Sequence, residues 1–178
     1  MKTYLEIQVP IRYDAPWFKN LRSAFADISA KWQVGYYHVT MAFLNETPSN
    51  LDLCPILEKH LGQACAPTIT FDKLDVFGTR SGMYIVNLTS SSVPEEFLLL
   101  TESIRNDLKD VGCQMQSGFL FHVTLGRISE RGVSISDLKL LLESVELSPF
   151  SLTLTDVDYR VFRGRTMYET KLNNNKIL

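Results

Sequence analysis

A chain of 178 residues with 45% hydrophobic side chains is long enough to bury one substantial core, and it lacks the charge-rich bias of a disordered segment. The formal charge of −2, with acidic and basic residues mixed along the chain, excludes the broad basic face of a duplex-binding module, so any nucleic-acid contact is local. Cys54, Cys65 and Cys113 are odd in number and form no C-x-x-C pair, which argues against a disulfide framework and a thiolate zinc site and for a reducing, cytoplasmic setting.

Thr3 to Val9 alternates apolar and polar residues, so the N-terminus reads as a strand and not as a signal peptide. Asp14 and Pro16 open a helix that is expected to run to about Lys31, with Trp17, Leu21, Phe25 and Ile28 as its buried stripe. A strand over 36–44 follows, then a helix over 53–63 that begins just before Pro55. Strands over 68–77 and 83–89 flank a Gly-Thr-Arg-Ser-Gly turn. Pro94 to Lys109 reads as a helix with Phe97, Leu98, Ile104 and Leu108 facing inward, and Phe119 to Ile128 as a strand. Ser134 or Ser136 caps a helix reaching Ser144. Strands over 151–162 and 166–172 form a closing hairpin around Gly164, with an Asn-rich tail at the surface. No long Pro-, Gly- or Ser-rich linker separates the halves, so residues 1–178 are expected to form one domain of two lobes sharing a core. No apolar run approaches the ~20 residues that cross a bilayer, and no membrane contact is expected.

Two of the three histidines stand in the same context. GYYHVTMAFL at 35–44 returns as GFLFHVTLGR at 118–127, which sets His38-Val39-Thr40 beside His122-Val123-Thr124, 84 positions apart. On a strand, His and Thr two positions apart share one face while Val points into the core. Each copy therefore offers an imidazole and a hydroxyl to a common surface. Packing alone has no reason to require an imidazole twice, and no H-E-x-x-H, D-x-D or Cys pair supplies a third strong metal ligand. Breaking a P–O bond with water needs a base, an acid and donors for the non-bridging oxygens. Two histidines and two threonines supply these without metal or cofactor, since imidazole titrates near ~6.5.

These paired His-x-Thr motifs resemble those of the 2H phosphoesterase superfamily, in particular its bacterial RNA 2′,3′-cyclic phosphodiesterase branch, historically called 2′-5′ RNA ligases. HVTMAFL is similar to the family's first motif and FHVTLGR to its second, with Arg127 as the trailing Arg. DVFGTRSGMYIVNL and RGRTMYETKL, with Tyr168, resemble the middle hairpin and last strand. The resemblance implies an α+β bilobal fold of two antiparallel sheets related by a pseudo-twofold, helices on the outer faces, and a cleft between the lobes. It implies His38 and His122 as catalytic, Thr40 and Thr124 as phosphate-binding, and opening of a cyclic phosphate on RNA ends or nucleotides to a 2′-phosphomonoester by a monomer, with reverse ligation in some relatives.

Four further residues are weaker candidates for substrate binding. Phe43 is assigned to the face of His38 and Thr40, where it can stack a base. Arg127 falls off the His122 face by strict alternation unless the strand bulges. Arg163 and Arg165 flank the Gly164 turn and can reach a phosphate. Tyr37 and Phe121 are expected in the core, and His60 as a solvated or helix-end histidine. A phosphodiesterase of 2′-5′-linked or cyclic oligonucleotide signals, a catalytically silent nucleotide-binding module and a metalloenzyme are the competing readings.

Overall fold

The computed structural model describes residues 1–48, 50–79 and 81–174. Their elements run β1 (Thr3–Gln8), α1 (Pro16–Ala24), β2 (Ala30–Trp32), β3 (His38–Glu46), α2 (Cys54–Leu61), β4 (Thr68–Phe71), β5 (Lys73–Gly78), β6 (Met83–Thr89), α3 (Glu95–Asp110), β7 (Gln114–Met115), β8 (Val123–Ser129), α4 (Ile135–Glu143), β9 (Phe150–Thr153), β10 (Asp156–Val161) and β11 (Thr166–Lys171). The architecture is α+β with two antiparallel sheets. The larger follows the order β11-β10-β1-β3-β8-β6-β5, with β2 on β8 and β7 on β3, and the smaller pairs β4 with β9. The large sheet consists of two wings joined between β3 and β8 at Val39 and Val123. An antiparallel pair has a local twofold axis at its centre, and here that axis relates the two His-Val-Thr copies.

Helix α1 starts at Pro16 as expected, but its N-cap is Ala15, and Asp14 instead pairs with Arg12 at 2.8 Å. It ends at Ala24 and not near Lys31, because Ala30–Trp32 leaves the helical pattern to pair with Gly126–Ile128. Tertiary pairing overrides local periodicity here: Trp32 packs edge-on against Phe18 and Phe25, with ring centroids 5.9 and 5.8 Å away. Phe18, not Trp17, is the fully enclosed aromatic of the first turn, while Leu21 and Phe25 are buried as expected. Trp32 also lies over Gly126, where an added Cβ would meet the indole at 2.7 Å. Gly126→Ala is expected to destabilise the fold by about 1–3 kcal/mol, read from urea unfolding.

Two expected long strands are each broken where the chain passes between sheets. The 68–77 run splits at Asp72, whose carboxylate accepts the Ser91 amide at 2.8 Å and the Ser91 hydroxyl. The 151–162 run splits after Thr153, where the Leu154 amide donates to Pro67 O at 2.9 Å. In α3, Phe97, Thr101, Ile104, Arg105 and Leu108 form the inward stripe, and Leu98, one step off that spacing, is 39% exposed. Ser134, not Ser136, caps α4 by accepting the Asp137 amide. In the β10–β11 hairpin the left-handed residue is Arg163 at φ 57, whereas Gly164 is needed for close approach to Val161. Among the described residues no helix is long and apolar enough to cross a membrane. Asn173 and Asn174 are exposed, and the rest of the Asn-rich tail lies outside the described residues.

Candidate active site

Val39 and Val123 are fully buried and face each other across the centre of the large sheet. In antiparallel pairing, the residue before Val39 stands beside the residue after Val123, so His38 flanks Thr124 and Thr40 flanks His122. All four side chains are half-buried, on the face opposite the two valines. The repeated tripeptides thus generate one four-residue surface around the twofold.

A bulge follows each threonine. On β3, Leu5 pairs with Ala42 and Glu6 with Thr40, leaving Met41 as the extra residue; on β8, Val86 pairs with Gly126 and Asn87 with Thr124, leaving Leu125. An extra residue inverts the alternation beyond it. Met41-Ala42 and Leu125-Gly126 are consecutive buried residues, and the next side chains, Phe43 and Arg127, turn back to the site face. The bulge supplies the condition that strict alternation withheld from Arg127. It also corrects the reason for Phe43, which by alternation alone would face away. Met41 O accepts from Arg105 Nη1 at 3.3 Å, and Gln116 O accepts from Nη2 at 2.6 Å. Arg105 therefore ties the first bulge to the loop that leads to His122.

His122 lies just before β8, its Nδ1 2.9 Å from Leu120 O. A carbonyl only accepts, so Nδ1 carries a proton, and in the neutral ring Nε2 keeps its lone pair. Phe77 packs edge-to-face on the imidazole at 5.1 Å. Burial holds the His122 pKa below its ordinary value; the Leu120 carbonyl opposes this, and Arg127 adds to it. A cavity of about 280 Å³ opens beside His122 and Thr40, walled by Phe43, Phe77, Arg105 and Leu120. His38 and Thr124 do not line it. A larger cavity, about 1120 Å³, lies elsewhere, against His60, Phe97 and Thr153, and touches none of the four motif residues.

His38 leans instead onto β1. Burial, then the neighbouring His122, Arg160 and Arg127, push its pKa down to about 4, with Asp158 opposing. Its Nε2 lies 3.3 Å from Glu6 Oε2, and its Nδ1 is enclosed without a hydrogen-bond partner among the described residues. Glu6 is fully buried, and desolvation pushes its pKa up to about 7 against the lowering effects of Tyr36 and Arg160. The Tyr36 hydroxyl faces two carboxyls, 2.5 Å from Glu6 Oε1 and 3.0 Å from Asp158 Oδ2. One hydroxyl proton serves one acceptor at a time, so a proton held on Glu6 completes the set. Gln8 Nε2 donates to Asp158 at 2.8 Å, and Arg160 stands 3.6 Å from Glu6. The sequence reading missed Glu6, Tyr36, Asp158 and Arg160. The available signal was the polar face of β1, Tyr4-Glu6-Gln8, matching Asp156-Asp158-Arg160 on β10.

The 2′-5′ RNA ligase superfamily matches residues 12–166, which is most of the chain. The chain belongs to the 2′-5′ RNA ligase superfamily. The structure of E. coli LigT complexed with 3′-AMP is similar at a TM-score of 0.58 and 20% identity, over 97% of this chain and 95% of that one. TT0787 of Thermus thermophilus gives 0.62 and 15% over 99% and 100%, and the MHV ns2 PDE domain 0.50 and 16% over 97% and 99%. At these identities the likeness is one of fold. No curated protein matches the sequence.

The chain sets both His-x-Thr copies on one face, but the remaining candidates divide. Arg163 and Arg165 sit on the β10–β11 hairpin and not beside His122. Tyr37 and Phe121 are core residues, 3% and 7% exposed. His60 does close α2, but it is not solvated: Nε2 lies 2.8 Å from Asp107 on α3, which also pairs with Lys59. Among the described residues no three His, Cys, Asp or Glu side chains gather as a metal site. Thr40→Val or Thr124→Val keeps the strand shape and removes a hydroxyl from the shared face. A rate loss of roughly ten- to a hundredfold with an unchanged fold is expected, measured by steady-state kinetics and circular dichroism.

Proposed function

We propose that the chain is a metal-independent phosphodiesterase, a single-domain monomer that opens 2′,3′-cyclic phosphates at RNA ends or on small nucleotides to 2′-phosphomonoesters. The observation that carries this reading is the arrangement of two imidazoles and two hydroxyls around the Val39–Val123 pair. Superfamily membership supports phosphodiester chemistry. The nucleotide complexes of LigT, with 3′-AMP, ATP and NADP+, support a nucleotide ligand in this fold.

In this mechanism His122 is the base. Its Nδ1–H is committed to Leu120 O, and its depressed pKa keeps Nε2 unprotonated near neutrality, ready to take a proton from water. Water oxygen bonds to phosphorus as the bond to the ribose 3′ oxygen breaks, and the buried Glu6–His38 pair holds the proton for that leaving oxygen. Thr40, Thr124 and Arg127 hold the non-bridging oxygens. Phe43 and Phe77 wall the space beside the reacting phosphate.

The testing experiment is a turnover panel of 2′,3′-cyclic mononucleotides, RNA with cyclic-phosphate ends, 2′-5′ oligoadenylate and cyclic dinucleotides, with and without chelator. Turnover of cyclic phosphates unaffected by chelator is expected. Turnover of only 2′-5′ or cyclic oligonucleotides would move the substrate, binding without turnover would make the chain a binding module, and loss in chelator with rescue by one divalent ion would overturn the mechanism. The pH dependence of kcat/KM is expected to be bell-shaped. Because burial depresses both imidazoles, its acid limb lies below the ordinary histidine value near ~6.5. A rate flat from about pH 5 to 9 with chemistry limiting would contradict paired acid and base roles.

A further inference from the structure

A cluster of three rings leads away from His38 along the outer wing. Tyr4 on β1 stacks on the His38 imidazole at 6.0 Å and on Phe43 at 6.4 Å. Phe162, at the start of the β10–β11 turn, meets Tyr4 edge-on at 6.2 Å and Phe43 at 5.9 Å. Phe162 is 44% exposed and Met167, on β11, 42%. The platform is therefore open to solvent at its far end while its near end touches the candidate catalytic histidine.

The turn that carries Phe162 is firmly held. Its amide donates to Lys2 O at 3.0 Å, Val161 N to Arg165 O at 3.0 Å, and Arg160 Nη2 to Gly164 O at 3.2 Å. Within it Arg163 takes the left-handed conformation at φ 57 although a glycine stands next to it. That conformation is uncommon for a residue with a long side chain, and here it sets the guanidinium carbon 5.2 Å over the Phe162 ring. No carboxylate among the described residues pairs with Arg163 or Arg165 within 4.0 Å. The hairpin thus presents an exposed aromatic face beside two uncompensated cations, in a chain whose overall charge is −2.

Resting on the phosphodiesterase reading, we propose that this hairpin is a second nucleotide subsite and that the preferred ligand is a single-stranded oligonucleotide, not a mononucleotide. The terminal nucleotide places its phosphate between the two histidines. The next base stacks on Phe162, and Arg163 and Arg165 neutralise the internucleotide phosphate. Aromatic stacking with a basic rim is sequence-tolerant, because every base has a π-face. A chance exposed phenylalanine at a hairpin tip would give no dependence on ligand length.

The test measures binding, so that it stands apart from turnover. The affinity of the wild-type chain for an unreactive tetranucleotide ending in a 3′-phosphate is compared with that for a nucleoside 3′-phosphate, by fluorescence competition. The tetranucleotide is expected to bind roughly tenfold tighter or better. That ratio is expected to collapse severalfold in Phe162→Ala, and the salt dependence of tetranucleotide binding to flatten in Arg163→Gly, a substitution that suits the left-handed backbone. Equal wild-type affinities for the two ligands, or a ratio unaltered in Phe162→Ala with the fold intact, would overturn the subsite. A length preference in binding together with no turnover of any cyclic phosphate would overturn the enzymatic reading and leave the subsite standing.

Discussion

Replacing either His38 or His122 by Ala is expected to lower turnover of cyclic phosphates by roughly 10²- to 10⁴-fold, the range typical of a lost proton-transfer partner. The two changes should not multiply. In the proposed mechanism both imidazoles act on one phosphorus, so removing the second from an enzyme already lacking the first leaves little further to lose. The geometry adds a distinction between the two. His122 is fixed through Leu120 O and packed by Phe77, so His122→Ala removes a preoriented imidazole, the proposed base. His38 works beside Glu6, and His38→Ala leaves a buried carboxyl with its Oε2 facing an empty space. His60→Ala is the control within the same chain: its partner is Asp107, on a different face, and the rate per folded molecule should remain near wild type. Steady-state kinetics with circular dichroism decide the matter. Wild-type rates in both His38→Ala and His122→Ala would place the active site elsewhere.

The four motif residues and their strands were legible because periodicity and repetition are properties of the linear chain. His-Val-Thr written twice fixes which side chains share a face on each strand, and buried valines fix the other face. What could not be read was whatever depends on how strands meet. The bulges at Met41 and Leu125 leave no mark in composition, yet they decide that Phe43 and Arg127 face the site. The resemblance supplied Arg127, and the structure supplies the physical reason. Glu6 was hidden for a related cause: on β1 alone it reads as one polar residue on the solvent side of an alternating strand. Only the pairing of Glu6 with Thr40 and with Asp158 makes that side an interior. The splits at Asp72 and after Thr153 escaped the sequence reading because each half keeps good strand character, and only the packing of two sheets requires the chain to bend between them.

Glu6→Gln is expected to stabilise the protein relative to wild type as pH rises, by up to ~3 kcal/mol between about pH 4.5 and 7. Burial raises the carboxyl from its ordinary value to about 7, so the folded state favours the protonated form. That contribution is complete below the unfolded value near ~4.3 and is lost as pH climbs through 7. His38 runs the other way. Its folded pKa, about 4, lies below the ordinary one, so its contribution is complete above ~6.5 and is lost as pH falls. Between about pH 4.5 and 6.5 the two slopes oppose each other, because the folded pair and the unfolded pair each hold about one proton. Wild-type stability therefore conceals the titration of both groups, and substituting one exposes the other. The remaining groups around Glu6, namely Tyr4, Tyr36, Asp158 and Arg160, together with His122 and Arg127 near His38, are common to both proteins and largely cancel in the difference. Gln keeps the shape and can still meet the Tyr36 hydroxyl, so the comparison isolates the charge. Urea unfolding of both proteins at half-unit steps from pH 4 to 8.5 gives the difference curve directly. Parallel curves would mean that Glu6 ionises at its ordinary value, and the carboxyl beside His38 would then be a fixed anion rather than a store for the proton that the leaving oxygen requires.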